Sequence, residues 1–215
     1  MGQLRIIAGR WRSRRLIFSA GPGLRPTPDA VRETVFNCLG QNLDGWCCLD
    51  LFAGSGALGF EAASRGAAQV VMVERQPAAY AALERNRAAL GAEQVELVRG
   101  DALKWLHGNR RRFDLVFLDP PYRHDWLAHI APHLPSLVQA QGWVYAEAER
   151  PIATLAGWPA HRQGRAGDAH YALFRAECGA ASGPCSPNRG EQQVSRGERQ
   201  VSGSYDQRVR KAEQT

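Results

Sequence analysis

The sequence predicts an α/β domain built on a mostly parallel sheet, with a small hairpin and helix before it. Three observations lead to this prediction. From Trp46 onward, strand-like apolar runs alternate with helical patterns, as in a parallel sheet with helices on both faces. A glycine-rich turn follows the first of these runs, and two final strand-like segments read as an antiparallel pair. With 215 residues and 44% apolar content, the chain can bury one sizeable core.

We divide the chain into three parts. Residues 1–40 form a basic N-terminal extension, 41–177 form the α/β core, and 178–215 form a tail. Ser, Gly, Gln, Arg and Pro dominate the tail, so we expect it to be disordered. Within the extension, two short strands surround Gly9. A helix with Thr27 as its cap follows and ends at Gly40.

The core elements follow from the periodicity of apolar residues. Seven strands are predicted, at 46–52, 70–74, 95–98, 113–118, 143–147, 161–165 and 170–175, the last of them antiparallel. The predicted helices follow the glycine turn to about 65, and then cover 78–90, 102–107 and 126–139.

The extension carries most of the net charge of +6. Residues 1–40 hold seven Arg against two acidic residues, whereas 41–176 is neutral, with 14 basic and 14 acidic groups. The arginines of the predicted hairpin surround a Trp. This mixture suits nucleic acid, because guanidinium groups bind phosphates and an indole ring stacks on bases. The predicted RNA-binding residues here are Arg10, Trp11, Arg12, Arg14 and Arg15.

The stretch LDLFAGSGALGFE at 49–61 organises the core. Its glycines have the G-x-G-x-x-G spacing of a strand–loop–helix turn that lets a nucleotide approach the backbone. They are Gly54, Gly56 and Gly59. Asp50 ends the first strand. Glu74 ends the second, twenty residues after Gly54, where a carboxylate can accept hydrogen bonds from both ribose hydroxyls. This pattern predicts a nucleoside-containing cofactor at the carboxyl ends of these strands.

The stretch FDLVFLDPPY at 113–122 carries the predicted chemistry. A buried strand delivers Asp119, and two prolines then hold the chain extended. A carboxylate and carbonyl groups are left pointing into the cleft, with Tyr122 beside them. A planar amine needs such acceptors for its N–H bonds and an aromatic face for its ring. We therefore predict that Asp119, Pro120 and Tyr122 are the catalytic residues.

These motifs resemble those of S-adenosylmethionine-dependent methyltransferases, and the Asp-Pro-Pro-Tyr form resembles the enzymes that act on exocyclic or amide nitrogens. The resemblance rests on 50–59, Glu74, Gly100-Asp101 and 119–122. Residues 4–15, GLRPTPDAVRETVFNCL at 23–39, and HYALF at 170–174 are similar to the RsmD-type 16S rRNA guanine-N2 methyltransferase family. The likeness spans about residues 4–176.

The resemblance implies a Rossmann-like fold, S-adenosyl-L-methionine as cofactor, and methylation of a guanine N2 amine in 16S rRNA. The implied partner is small-subunit rRNA or the assembling 30S subunit. The implied cofactor-binding residues are Asp50, Ala53, Gly54, Ser55, Gly56, Glu74, Asp101, Ala102 and Asp119. Among them Asp101 would contact the adenine amino group, and Tyr122 would stack on a guanine turned out of its helix. Phe52 is assigned to core packing.

The resemblance also suggests that residues 25–37 close over the site. Which of Arg32, Glu33 and Asn37 touches a ligand, and which ties the extension to the core, stays open. Five cysteines show no metal-ligand spacing, no signal peptide begins the sequence, and no apolar run approaches a membrane span. We expect a cytoplasmic monomer without metal or membrane contact.

Four alternatives share part of this pattern. An adenine-N6 methyltransferase shares every core motif, and only the N-terminal signature argues against it. A glutamine-amide methyltransferase usually carries Asn in place of Asp119. A dinucleotide-dependent oxidoreductase predicts a glycine immediately after the first strand, where Leu51-Phe52-Ala53 stands. A non-catalytic RNA-binding module would need neither Glu74 nor Asp119.

Overall fold

Strands and helices alternate along the chain in the predicted order. The computed structural model describes residues 2–19, 27–121 and 124–177. The strands are β1 Gly2–Arg5, β2 Arg15–Phe18, β3 Cys47–Asp50, β4 Gln69–Glu74, β5 Val95–Arg99, β6 Phe113–Leu118, β7 Val138–Ala148, β8 Thr154–Leu155, β9 Trp158–Ala166 and β10 Ala169–Arg175. The helices are α1 Asp29–Leu39, α2 Ala57–Ser64, α3 Pro77–Leu90, α4 Ala102–Gly108, α5 Trp126–Ile130 and α6 Leu134–Leu137, with a 3₁₀ turn at Ala131–His133.

The central sheet has, within the described residues, eight strands in the order β5-β4-β3-β6-β7-β10-β9-β8. The first five are parallel, and the last three run antiparallel to their neighbours. The predicted α/β class, with a mostly parallel sheet and an antiparallel end, is confirmed. The predicted number of seven strands is wrong. The extra strand is β8, whose two residues are too few to give an apolar period in the sequence.

The parallel strands bring their carboxyl ends to one edge of the sheet. Cys48 of β3 pairs with Val70 of β4 and with Leu115 of β6, and Leu118 of β6 pairs with Ala146 of β7. The acidic residues at or just after the ends of these strands therefore share that edge.

The core lies on both faces of this sheet. Along β3, Cys48 belongs to one buried cluster and Leu49 to the other, since alternate strand residues point to opposite faces. Helix α1 covers the first face through Phe36, whose ring centroid is 6.0 Å from that of Phe117. Helix α6 packs on the second face through Leu137.

The predicted single helix over 126–139 is wrong. This segment contains α5, the 3₁₀ turn and α6, which ends at Leu137, and β7 begins at Val138. Pro132 and Pro135 explain the interruption, because each lacks the N–H that a continuous helix needs and crowds the preceding turn. Strand β7 therefore starts five residues earlier than the predicted Trp143.

The N-terminal hairpin and helix are present as predicted. Strands β1 and β2 pair antiparallel, Leu4 facing Leu16, and α1 ends at Gly40. Thr27, however, does not cap α1: the capping position is Pro28, without a side-chain hydrogen bond.

Several predictions lie outside the described residues: the disordered tail at 178–215, Arg25 and Tyr122. In the described part of the chain, no helix combines the length and the apolar character needed to cross a bilayer.

Candidate active site

Gly54 and Gly56 form the turn between β3 and α2. Their φ angles are 49° and 80°, a region that favours glycine. A Cβ on Gly56 would lie 2.6 Å from the Phe60 ring, so a side chain does not fit there. The turn begins α2 directly behind the strand and keeps the backbone of residues 53–55 against the cleft.

A cavity of about 230 Å³ lies at the carboxyl ends of the parallel strands. Predicted site residues line it: Asp50, Ala53, Gly54, Ser55, Glu74, Asp101, Ala102, Asp119 and Pro120. Gly56 is not among the lining residues, because it serves as the N-cap of α2. The structure thus brings the two sequence motifs into one site.

The cavity is acidic. The described residues that line it include five carboxylates: Asp50, Glu74, Asp101, Asp119 and Glu147. Among the described residues that line the cavity, the basic one is Arg75, and it is exposed. No group of three or more His, Cys, Asp or Glu side chains in the described residues is arranged to hold a metal ion. Such a cavity favours an organic cation over an anion.

Asp50 is buried beneath the glycine turn. Its Oδ2 accepts the N–H of Gly59 at 3.0 Å, which ties the end of β3 to the first turn of α2. Burial raises the pKa of Asp50 to about 7, and the nearby charge of Glu74 acts in the same direction. A positive ligand would restore the charged form.

Glu74 and Asp101 already have backbone partners. Glu74 Oε2 accepts the N–H of Gly54 at 2.8 Å, and Oε1 accepts that of Gln76 at 2.6 Å. Asp101 Oδ1 caps α4 by accepting two N–H groups of its first turn, at 3.1 and 3.2 Å. Since a carboxylate has about four acceptor sites, both side chains keep capacity for a ligand while they hold the loops that form the cavity.

Asp119 faces a second carboxylate that the motifs did not reveal. Burial raises the pKa of Asp119 well above its usual range. The charges of Glu147 and Asp50 raise it further, each by less than burial does. The Thr27 hydroxyl donates to Asp119 Oδ2 at 3.4 Å and opposes that shift. Glu147 is buried on β7, and the Tyr145 hydroxyl donates to its Oε1 at 2.6 Å.

The sequence does contain a signal for Glu147. Each parallel strand has an acidic residue at its carboxyl end or within two residues of that end: Asp50, Glu74, Asp101, Asp119 and Glu147. Four of these can be recognised in the sequence because each has a characteristic spacing within a known motif. Glu147 stands in no motif, and only the position of β7 beside β6 brings it into the cavity.

Phe52, assigned to core packing, is half-buried and does pack against the core cluster that contains Leu49. Its ring lines the cavity and packs edge-to-face against Trp126, with centroids 5.4 Å apart. Trp126, at the start of α5, lines the same wall. The cavity therefore has an aromatic side that sequence spacing did not predict.

Trp11 is buried rather than available to RNA. Only 5% of its surface is exposed, and its backbone N–H donates to Ser64 Oγ at 2.9 Å. The predicted role of Trp11 in stacking on bases is wrong, because the indole packs into the core beside α2. The hairpin arginines Arg10, Arg12, Arg14 and Arg15 are all exposed.

Glu61 of α2 attaches the hairpin to the core. It is fully buried and accepts the backbone N–H groups of Ile7 at 2.8 Å and Ala8 at 3.0 Å. It also pairs with Arg32 at 3.3 Å and Arg65 at 2.9 Å. No sequence pattern predicts this role, because these contacts join residues more than fifty positions apart in the chain.

Of the three polar residues on α1 considered for ligand contact, Arg32 has a structural role. Arg32 is buried and pairs with both Glu61 and Asp29, so it ties the extension to the core. Glu33 and Asn37 are exposed on α1 and are not among the described residues that line the cavity.

Comparison with known proteins agrees with this geometry. A family model described as "Conserved hypothetical protein 95" matches residues 4–175. Ribosomal RNA small subunit methyltransferase D of Escherichia coli K12 is 40% identical over 185 residues, which cover 82% of this chain and 91% of that protein. This chain belongs to the ribosomal RNA small subunit methyltransferase D family. The protein of the same name from Haemophilus influenzae is 38% identical, with 81% of this chain and 94% of the relative covered.

Solved structures show the same fold. Escherichia coli yhhF matches with a TM-score of 0.74 at 39% identity, over 83% of this chain and 100% of that chain. A Salinibacter ruber RNA methyltransferase in complex with S-adenosyl-L-homocysteine matches with a TM-score of 0.57 at 18% identity, over 77% and 100% of the two chains. The resemblance to the RsmD-type family and its Rossmann-like methyltransferase fold is confirmed.

Proposed function

We propose that this chain transfers a methyl group from S-adenosyl-L-methionine to the exocyclic N2 amine of a guanine in 16S small-subunit rRNA. The observation that carries the proposal is the acidic cavity at the carboxyl ends of the parallel strands. S-adenosylmethionine has a sulfonium and an ammonium group and is a net cation. A dinucleotide has a diphosphate, which the acidic lining of the cavity disfavours. The relatives named ribosomal RNA small subunit methyltransferase D support an rRNA substrate.

The lining residues fit this cofactor by their donor and acceptor chemistry. Glu74 would accept the ribose hydroxyls, and the free oxygen of Asp101 would accept the adenine amine. Asp50 and the backbone of residues 53–56 would lie at the methionine end. When bound, S-adenosylmethionine supplies an activated methyl group. The protein must then align a nitrogen and accept its proton.

The residues after β6 suit that task. The lone pair of an aromatic amine is delocalised into its ring, which makes the nitrogen a poor nucleophile. The Asp119 carboxylate and the Pro120 carbonyl would accept its N–H bonds and direct the lone pair toward the methyl group. Burial also raises the pKa of Asp119, which makes its carboxylate a better acceptor for the proton that the amine loses. Tyr122, outside the described residues, would stack on the guanine.

The exposed arginines of the hairpin are proposed to hold RNA phosphates. None of Arg10, Arg12, Arg14 and Arg15 forms an ion pair with a carboxylate in the described part of the chain. The hairpin loop contacts Ser64, at the far end of α2 from the glycine turn. Since α2 has eight residues, the loop and the turn are separated by about 12 Å. A substrate that reaches both must therefore be larger than a nucleotide.

Mass mapping of small-subunit rRNA from cells with and without this gene tests the proposal. We expect one N2-methylguanosine to disappear with the gene and to return when the wild-type gene is restored, but not when Asp119→Ala is supplied. Loss of an N6-methyladenosine instead would assign the chain to the adenine-N6 enzymes. An unchanged rRNA methylation pattern would overturn the proposal.

A further inference from the structure

Asp119 and Glu147 occupy equivalent positions at the ends of two adjacent parallel strands. Leu118 of β6 is in register with Ala146 of β7, so the next residue on each strand is an acid. Adjacent strands are about 4.8 Å apart, and both side chains line the same cavity. The fold thus places two carboxylates side by side where the substrate amine must lie.

Within the described residues, Glu147 is held in place by a hydrogen bond and not by an ion pair. The Tyr145 hydroxyl donates to Oε1 at 2.6 Å. None of the ion pairs among the described residues involves Glu147. Only 6% of its surface is exposed, and burial raises its pKa. Keeping a buried carboxylate without a cation is costly, unless a ligand supplies donors to it.

Guanine offers the donors that such a pair of carboxylates requires. Its Watson–Crick edge has three N–H bonds next to one another, one on N1 and two on N2. Adenine has two N–H bonds on N6, and its N1 is an acceptor. A carboxylate beside the methylated amine therefore forms a hydrogen bond with guanine, whereas it repels the lone pair of adenine N1.

We propose that Glu147 selects guanine over adenine by accepting the N1–H bond, while Asp119 and the Pro120 carbonyl hold the N2 amine. Tyr145 is then a positioning residue, because its hydroxyl orients the Glu147 carboxylate. This inference rests on the proposed function, since it names how the same site recognises its base. It also explains how a chain with the core motifs of an adenine-N6 enzyme would reject adenine.

Steady-state kinetics with 30S subunits from cells that lack the gene test the proposal. The variants are Glu147→Gln, Tyr145→Phe and, as a control, Glu84→Gln, which changes an exposed acid on α3. We expect kcat/KM of Glu147→Gln to fall roughly 10- to 100-fold, as for loss of one base-edge contact. Tyr145→Phe should lose roughly 3- to 10-fold, the effect of one hydrogen bond. The affinity for S-adenosylhomocysteine should stay unchanged in all three.

A second measurement separates base recognition from a structural role. Free guanosine should inhibit the wild-type enzyme, whereas 1-methylguanosine, which lacks the N1–H, should not. A Glu147→Ala variant, which has no acceptor at this position, should lose this difference. An unchanged kcat/KM for Glu147→Gln, or equal inhibition of the wild type by both nucleosides, would overturn the role of Glu147 and leave the proposed function standing. If the wild type forms no N2-methylguanosine on these subunits, the proposed function itself fails.

Discussion

Arg32 and Glu61 form an ion pair in which both side chains are buried, with Nη1 and Oε2 3.3 Å apart. Arg32 lies on α1 and Glu61 on α2, so the pair joins the extension to the core. The same carboxylate accepts the N–H groups of Ile7 and Ala8 from the hairpin. One buried acid therefore determines how both parts of the extension meet the core.

Glu61→Ala is expected to lower the free energy of unfolding by about 3–5 kcal/mol, because two buried guanidinium groups and two backbone N–H groups lose their contact with this carboxylate. Urea denaturation measures this. The control is Glu96→Ala, which breaks the Arg111 pair, whose side chains are 41% and 42% exposed. Exposed pairs contribute less than about 1 kcal/mol. A loss in Glu61→Ala no larger than in the control would contradict the anchoring role.

The stability of the chain without cofactor should fall as the pH rises through the range in which Asp50 titrates. Its pKa is raised from 3.8 to about 7, so between these values the folded state holds a proton that the unfolded state has released. This contribution is complete below about pH 4 and lost by about pH 7. At about 1.4 kcal/mol per pKa unit, it amounts to about 4 kcal/mol.

Asp50→Asn isolates that effect, because an amide oxygen can still accept the Gly59 N–H but does not titrate. Unfolding free energies of both proteins should be measured between pH 4 and pH 8. We expect the wild type to lose more stability than the variant over this range. Parallel curves for the two proteins would show that Asp50 is ionised at neutral pH in the folded chain.

Local patterns were enough to predict the parallel strands and the glycine turn. Strands such as β4 and β6 are short, mostly apolar runs, and Gly54 and Gly56 mark the conformation that the turn requires. Asp50, Glu74 and Asp119 could be found because each follows such a run at a recognisable spacing.

Long-range contacts account for what the sequence did not reveal. Trp11 among arginines has the composition of an RNA-binding surface, but Ser64 and the α2 face bury it. Glu147 became a site residue only through the register of β7 with β6. Phe52 is apolar in either role, and its contact with Trp126 depends on where α5 packs. The periodicity of apolar residues along the chain does not reveal such contacts between residues far apart in the sequence.

Glu74→Ala should weaken S-adenosylhomocysteine binding by roughly 1–3 kcal/mol, through the lost ribose hydrogen bonds and the freed Gly54 N–H. Calorimetry measures the affinity, with Glu84→Ala as an exposed control on α3. NAD should not bind to the wild type. If NAD binds more tightly than S-adenosylhomocysteine, the cofactor assignment is wrong.

Asp119→Ala should abolish methyl transfer while cofactor affinity stays within about threefold. A carboxylate that aligns the amine acts on the transition state rather than on the bound cofactor. Removing it also relieves the burial of a carboxyl group and its repulsion with Glu147 and Asp50, which together raise its pKa, so the variant should be no less stable than the wild type. Transfer of a tritiated methyl group measures activity. Turnover at the wild-type rate would refute this role.

Replacing Arg12, Arg14 and Arg15 with Ala should flatten the salt dependence of RNA binding. Each neutralised phosphate contributes roughly 0.7–0.9 to the slope of log affinity against log salt, so the triple variant should lose about two units.

The matched control replaces three other arginines with Ala: Arg162, Arg165 and Arg175. These residues carry equal charge and are also exposed, on β9 and β10. The variants are titrated against 30S subunits at several salt concentrations. Cofactor binding should not change in either, since neither set lines the cavity. If the control flattens the slope and the hairpin variant does not, the RNA lies on the antiparallel end of the sheet, where Arg175 covers the Trp143 ring at 5.3 Å.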